Sequence, residues 1–219
     1  MLTTGLLSPR RLPAGEGVVR VALVAASALL LAGDHVRIEV VVRGAVRLEI
    51  VETAGTVAYA MRGASSRWDV DITLTEGASL TWHGEPFVVS EGADVTRSMH
   101  ARLEPGCTAM LRESLVLGRH GESGGSLRTT TRVWLGAEIL LAEDLCPDDG
   151  WAVLGNARCL DTITTLGTRL PDQPDTLQLE GPASIARSLT AAQHLSGLAE
   201  VWGTALAGQE RQVGATVRR

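Results

Sequence analysis

Short runs of alternating apolar and polar residues, each broken by a glycine and a small residue, recur along the chain. The runs read VVRGAVRLEI, LTEGASLTW, VSEGADVTR, LEPGCTAML and VWLGAEILL. Their glycines are Gly44, Gly77, Gly92, Gly106 and Gly136. Alternation with a period of two predicts half-buried β-strands, and glycine takes the positive φ of a tight turn without steric cost. The pattern predicts a mainly β fold of coiled or stacked strands, resembling a β-helix. Because the units are irregularly spaced, we predict no strict sequence repeat.

The segment around Gly44 has the clearest alternation. Residues 35–59 alternate on both sides of this glycine, and we predict a β-hairpin there. The glycine-rich stretch 118–125 is predicted to be a loop. Further strands are predicted over residues 68–74, 79–82, 87–89, 94–103, 109–117, 127–141 and 176–180.

The two ends of the chain break this pattern. Residues 1–17 carry no periodicity, so we expect a loose leader before a single β-rich domain over residues 18–219. From Pro182 the apolar spacing becomes helical, which predicts an amphipathic C-terminal helix over about residues 182–207. Such a helix either covers one side of the sheet or docks a partner. The candidate partner-binding residues on it are Leu195, Leu198 and Trp202.

The charged and aromatic residues narrow the function classes. All twenty basic residues are Arg. The absence of Lys excludes mechanisms that need a phosphate-loop lysine or a Schiff-base lysine. A formal net charge of −5, with one Tyr and one Phe, argues against nucleic-acid binding, which needs a basic face or aromatic stacking platforms.

The cysteines and an apolar segment near the start bear on localisation. Cys107, Cys146 and Cys159 are too few and too widely spaced for a disulfide-built fold, so we expect a reducing compartment. Residues 18–32 follow two arginines, as a signal peptide does, but Arg20 interrupts the segment. The segment is also short for a transmembrane helix. We expect a cytoplasmic protein that does not bind a membrane.

The loop GESGG matches the G-x-S-x-G pattern and makes Ser123 a candidate nucleophile. A hydrolase elbow needs a strand before the serine and a helix after it, but here the following residues predict another strand. A trypsin-like site would need a histidine earlier in the chain, and neither His35 nor His100 has a suitable context. Serine chemistry is therefore the alternative and not the leading hypothesis.

No preformed metal cage is visible, because the five histidines are far apart and no CxxC pair is present. Several carboxylates nevertheless lie on or beside predicted strands. If they turn inward, their oxygen atoms could provide weak, exchangeable sites for a divalent ion. These residues are Glu52, Glu85, Glu113, Glu143 and Asp144.

Several segments, taken in order, resemble the urease accessory protein family UreD, also called UreH. The first is LLLAGDHVRIEVVVRGAVRLEIVETAGTVAY, and the second is LTEGASLTWHGEPFVVSEGADVTRSMHARLEPGCTAMLRESLVLGRHGE. The resemblance covers about residues 28–142 and continues more weakly to the C-terminal helix. Arg112 departs from it, because an aromatic residue often stands there in the family. The landmarks of the second segment are Pro86, Gly92, Ala93, Pro105, Gly106, Glu113, Gly118, Arg119 and Glu122.

The resemblance implies a noncatalytic maturation factor with a coiled, largely β fold. Members of this family bind UreF, assemble with the GTPase UreG and dock on apo-urease, so that nickel reaches the active site of the enzyme. We therefore expect Ni²⁺ in transit and no tightly bound cofactor. The expected route uses Glu52, Glu85, Glu113, Glu143 and Asp144, with Asp34 next.

Two other functions stay open at this point. One is a serine hydrolase that uses Ser123 in the GESGG loop. The other is a β-rich module that binds a small molecule.

Overall fold

Two β-sheets and one long C-terminal helix make up the fold. The computed structural model describes residue 2 and residues 5–147 and 151–216, with side chains for all of these except residues 151, 152 and 209–216. The strands are β1 Leu7–Leu12, β2 Val18–Ala25, β3 His35–Val42, β4 Arg47–Glu52, β5 Thr56–Ala58, β6 Ser66–Leu74, β7 Ser79–Val89, β8 Asp94–Leu103, β9 Thr108–Leu117, β10 Ser126–Leu135, β11 Glu138–Leu145, β12 Cys159–Leu166, β13 Thr176–Gln178 and β14 Ala183–Thr190. The helices are α1 Trp151–Leu154, a 3₁₀ turn at Gln193–Leu195, and α2 Leu198–Thr216. The mainly β fold with a C-terminal helix is as predicted.

The chain alternates between the two sheets as it coils. The nine-stranded sheet has the order β1-β2-β4-β7-β9-β12-β14-β13, with β5 beside β7, and the five-stranded sheet has the order β11-β10-β8-β6-β3. From β2 to β10, neighbouring strands in each sheet are parallel. Each turn of the coil therefore contributes a strand to both sheets, and successive turns stack as rungs. This is a β-solenoid-like arrangement.

The rungs have a nearly constant length, although the five glycine units are irregularly spaced along the sequence. Val18 pairs with Arg47, which pairs in turn with Ser79, so the chain advances 29 and then 32 residues from rung to rung. In the other sheet His35 pairs with Arg67, again 32 residues away. Four of the five glycines, Gly44, Gly77, Gly106 and Gly136, follow strands of the five-stranded sheet, and only Gly92 follows a strand of the other sheet, so the five units are irregularly spaced along the sequence.

The predicted hairpin at residues 35–59 is wrong. β3 and β4 lie in different sheets and do not pair with each other, so Gly44 is in an arc that crosses from one sheet to the other. Both hairpins and arcs need a residue with positive φ, and Gly44 has a φ of 77°. The local sequence therefore predicts the turn but not its partners. Only Gly136, between the antiparallel strands β10 and β11, is in a true hairpin among the five glycines.

Other boundaries also differ from the prediction. Part of the expected leader forms β1, which pairs with β2, although residues 1, 3 and 4 lie outside the described part. The predicted strand 127–141 is two strands joined at Gly136.

The predicted helix over residues 182–207 begins too early. Residues 183–190 form β14, a strand between β12 and β13. Ile185 and Leu189 are four residues apart, which satisfies a helical period as well as a strand period, so their spacing misled the assignment. The helix begins at Leu198.

The main core fills the space between the two sheets. Its fully buried members include Leu74 and Leu80 on successive strands, and Trp68 contacts Phe87 edge-on across the gap at 5.6 Å between ring centroids. A smaller cluster lies on the outer face of the nine-stranded sheet, beneath α2. No helix within the described residues has the length and apolar character required to cross a bilayer.

Candidate functional site

A cavity between the two sheets is lined by three of the six carboxylates that the sequence singled out. Glu52, Glu85 and Glu113 all line it, one from each of the neighbouring strands β4, β7 and β9. The opposite wall comes from the five-stranded sheet and includes Arg97 and Thr131. The cavity combines apolar rings with carboxylates, so polar groups inside an otherwise hydrophobic core are its defining feature.

Glu52 is held at the centre by two hydrogen bonds. The indole Nε1 of Trp82 donates to its Oε1 at 3.1 Å, and the backbone N–H of Glu85 donates to its Oε2 at 3.0 Å. Burial raises the pKa of the Glu52 carboxyl, and these two bonds oppose that shift. Glu52 also lines a second cavity, beside Tyr59 near the start of the coil. It therefore stands where the two cavities adjoin.

A β-bulge supplies one of the donors to Glu52. The register of β7 with β9 shifts between His83 and Pro86, so that Gly84 and Glu85 lie out of the regular ladder. A Cβ on Gly84 would lie 2.7 Å from the carbonyl oxygen of Arg112, so a side chain there would force this backbone apart. The short segment Gly84–Glu85–Pro86 explains the register shift and the close backbone approach. Glycine leaves room for the carbonyl of Arg112, and proline has no N–H to donate to the strand ladder.

Two partly exposed ion pairs join the sheets, with side-chain exposures of 49% for Glu113 and 28% for Glu143. Arg97 on β8 contacts Glu113 on β9, and its guanidinium lies over the Phe87 ring at 4.3 Å. Arg187 on β14 contacts Glu143 on β11. Glu143 pairs in register with Thr131, which lies on the same face of β10 as the buried Leu127 and Val133, so it faces the interior as well. We call Glu52, Glu85, Glu113 and Glu143 the carboxylate row.

The other two predicted route residues lie outside this row. Asp144 is exposed and paired with Arg132 at 2.6 Å; the hydrogen bond from Arg132 lowers the pKa of Asp144. Asp34 lies in the turn before β3, where its Oδ2 accepts from the backbone N–H of Leu31 at 2.9 Å. The structure therefore brings together four of the six carboxylates. Among the described residues, no three His, Cys, Asp or Glu side chains are grouped closely enough to hold a metal ion.

A buried polar network that the sequence did not predict lies on the outer face of the nine-stranded sheet. Asp161 is fully buried and accepts from Arg112 Nη2 at 2.9 Å, Ser114 Oγ at 2.8 Å and Ser196 Oγ at 2.6 Å. Burial alone would raise the pKa of Asp161, but these hydrogen bonds outweigh burial and lower it. Ser196 lies two residues before α2 and accepts from the backbone N–H of Leu198 at 3.3 Å, so the network ties the start of the helix to the sheet.

The candidate partner-binding residues have different environments. Leu198 and Trp202 are buried in the outer-face cluster, with Trp202 only 8% exposed and edge-on to His83 at 5.3 Å. They pack on the chain's own sheet, which was the other role considered for the helix. Leu195 is 59% exposed, and its role in partner binding stays a prediction.

Known proteins resemble this chain along nearly its whole length. The family model described as the UreD urease accessory protein matches residues 6–217. This chain belongs to the UreD family. One relative, urease accessory protein UreD 1 of Streptomyces griseus subsp. griseus, is 42% identical over 210 residues, covering 90% of this chain and 82% of the relative. The UreD of Streptomyces avermitilis is 31% identical over 199 residues, covering 87% of this chain and 79% of that protein. The chain is thus a urease accessory protein with a role in urease maturation.

The loop that contains Ser123 lacks the strand-to-helix context of a hydrolase elbow. Ser123 is followed by β10, and the described residues lining its surface pocket include no His, Asp or Glu. Glu122 instead organises the loop: it accepts from the backbone N–H groups of Arg119 at 2.9 Å and Glu91 at 3.1 Å. The Arg119 side chain, with these bonds, holds the pKa of Glu122 at about 2.

Proposed function

We propose that this UreD-family chain is a noncatalytic scaffold that binds UreF, assembles with UreG and apo-urease, and passes Ni²⁺ through its interior to the urease active site. The observation that carries the proposal is the carboxylate row. Three of its members occupy neighbouring strands of one sheet and line one cavity, and the fourth faces the same inter-sheet space.

The chemistry of the row suits a cation in transit. Carboxylate oxygens bind divalent ions, but nitrogen and sulfur ligands, which raise affinity for nickel, are missing from the four members of the row. Weak, successive sites let an ion enter and leave, whereas a closed cage would retain it. The position of Glu52 where two cavities adjoin provides the step between them.

The first test is reconstitution of urease with and without this chain. Co-expression with UreF, UreG and apo-urease should give nickel-dependent urease activity and bound nickel that require the chain. The absence of any dependence, together with no complex on co-purification, would contradict the proposal.

The second test concerns the route itself. Glu113→Gln and Glu52→Gln should each lower urease nickel content by about tenfold at limiting nickel, since loss of a metal-orienting group typically costs at least this much. Glu39→Gln is the matched control, because Glu39 is an exposed strand residue of β3 outside the row. Equal nickel content in all three variants would rule out the row as the route, even if the chain is required for activation.

A further inference from the structure

The two arginines of the interior are arranged as counterions to the carboxylate row. Arg97 reaches Glu113 from the five-stranded sheet to the nine-stranded sheet, and Arg187 reaches Glu143 in the opposite direction. Each pair therefore bridges the space that a passing ion would cross. In the absence of a cation, half of the row is already occupied by guanidinium groups.

Both contacts use one arm of the guanidinium. Arg97 and Arg187 each engage their carboxylate through Nη2, while the Nε of each is buried without a hydrogen-bond partner among the described residues. Arginine commonly binds carboxylates through two parallel hydrogen bonds, which are stronger and geometrically more specific. One-armed pairs hold the carboxylate less firmly, so a competing cation can displace the guanidinium.

The charge balance of the interior fits one divalent ion. Four glutamates in their charged form and two arginines leave a surplus of two negative charges, and Arg112, which also lines the cavity, is balanced by Asp161. A passing ion meets carboxylates that are attractive but already paired. An arginine also cannot become a metal ligand, because it has no acceptor and keeps its proton.

We propose that Arg97 and Arg187 are release residues: each competes with the divalent cation for Glu113 and Glu143, so that the ion cannot remain in the row. This inference rests on the proposed nickel route and adds the component that keeps occupancy brief. When the cation departs, the guanidinium returns to its carboxylate, and the site is reset.

The experiment measures Ni²⁺ binding directly, apart from urease activity. The full chain, co-purified with UreF if needed for solubility, is titrated with NiCl₂ by calorimetry and by equilibrium dialysis. Arg97→Gln and Arg187→Gln should each tighten the Kd for Ni²⁺ by about tenfold or more, because each change removes a positive charge that pairs with the carboxylate and repels the cation. The double variant Arg97→Gln/Glu113→Gln should lose this gain.

Arg37→Gln is the matched control. Arg37 forms an ion pair with Asp71 at 3.0 Å on the five-stranded sheet. Its side chain is exposed, so its loss should leave the Kd unchanged. Circular dichroism verifies that each variant is folded. Arg187 provides an independent variant at the far end of the row, because Arg97 also packs on Phe87 and its replacement could weaken the core.

The outcomes separate this inference from the proposed function. Tighter nickel binding in both arginine variants, with slower delivery to urease, supports the release role. Unchanged binding in folded Arg97→Gln and Arg187→Gln overturns it, even when the wild-type chain still activates urease. Failure of the wild-type chain to activate urease would instead contradict the proposed function, whatever the binding data.

Discussion

Asp161 shows how much of this molecule depends on single buried polar residues. Its carboxylate has no exposure and is held by Arg112, Ser114 and Ser196, from β9 and from the turn before α2. A buried charge is tolerated only when it is paired and fully hydrogen-bonded. The network is therefore a structural requirement for docking α2.

Replacing Asp161 by Asn should destabilise the fold strongly. The change leaves the guanidinium of Arg112 buried without its counter-charge, and breaking a buried pair in this way costs about 3 kcal/mol or more. Urea denaturation measures the loss. The control is Asp144→Asn, which breaks an exposed, solvent-screened pair with Arg132 and should cost much less stability than Asp161→Asn. Equal losses in the two variants would contradict the structural role of Asp161.

The lowered pKa of Asp161 also gives an acid-dependent contribution to stability. Because the folded pKa lies below the unfolded value, the unfolded chain binds more protons between the two, and folding stability falls as the pH drops through this range. We expect the wild-type free energy of unfolding to fall more steeply below about pH 4 than that of Asp161→Asn. Parallel pH profiles for the two proteins would show that Asp161 makes no such contribution.

At the scale of elements, the C-terminal helix is an internal packing element along its buried face. Leu198 and Trp202 cover Met110 and Ile163, which project from the outer face of the nine-stranded sheet. Leu195, just before the helix, remains exposed. Mutations can therefore distinguish the packing role of the buried face from a partner-binding role of Leu195.

Trp202→Ala should destabilise the protein by about 3 kcal/mol or more, because it removes a large buried ring. Thermal denaturation gives the change, and UreF binding per folded molecule should stay as in the wild type. Leu195→Ala should alter stability by less than about 0.5 kcal/mol. If Trp202→Ala keeps its melting temperature but loses UreF, the residue belongs to an interface and the packing explanation is wrong.

Most elements, but not all, were predictable from the sequence. Alternation identified most strands, and the bounds of β8 were predicted to the residue. It failed at β14, where four buried residues in succession, 183–186, remove the contrast between a strand and a helix. Pairing partners were unpredictable at Gly44, because a positive φ serves a hairpin and an arc equally well.

The candidate site was predictable only where its residues lie on strands with clear alternation. Glu52, Glu85 and Glu113 could be chosen because each lies in or beside such a strand, although their roles as nickel ligands stay predictions. The counterions were not predictable: Arg97 and Arg187 meet their partners across sheets, and no local pattern records a contact between residues such as 143 and 187. Asp161 could not be predicted for the same reason, because its partners are distant in the sequence.

At the scale of the whole molecule, the two hydrophobic clusters share strands. Met110 and Ile163 face α2, while Leu111 and Leu160 on the same two strands belong to the core between the sheets. Unfolding of β9 or β12 would therefore disrupt both clusters at once. We therefore expect the solenoid and the helix to unfold together.

Hydrogen exchange followed by mass spectrometry tests this cooperativity. In a urea series, peptides from β12 and from the first turns of α2 should lose protection at the same denaturant concentration. An earlier transition confined to α2 would contradict the expectation and would identify the helix as a separate unit.

The exclusive use of arginine has a consequence for the direction in which the interior can respond to pH. A guanidinium keeps its proton across the physiological range, so the positive charges of Arg97 and Arg187 are permanent. Only the glutamates can change, and Glu52, whose pKa is raised by burial, takes up its proton at a higher pH than an ordinary glutamate. Protonation of Glu52 therefore removes a negative charge from the cavity, while the two guanidinium charges remain. Under the proposed nickel route, acid would weaken the attraction of the cavity for a cation.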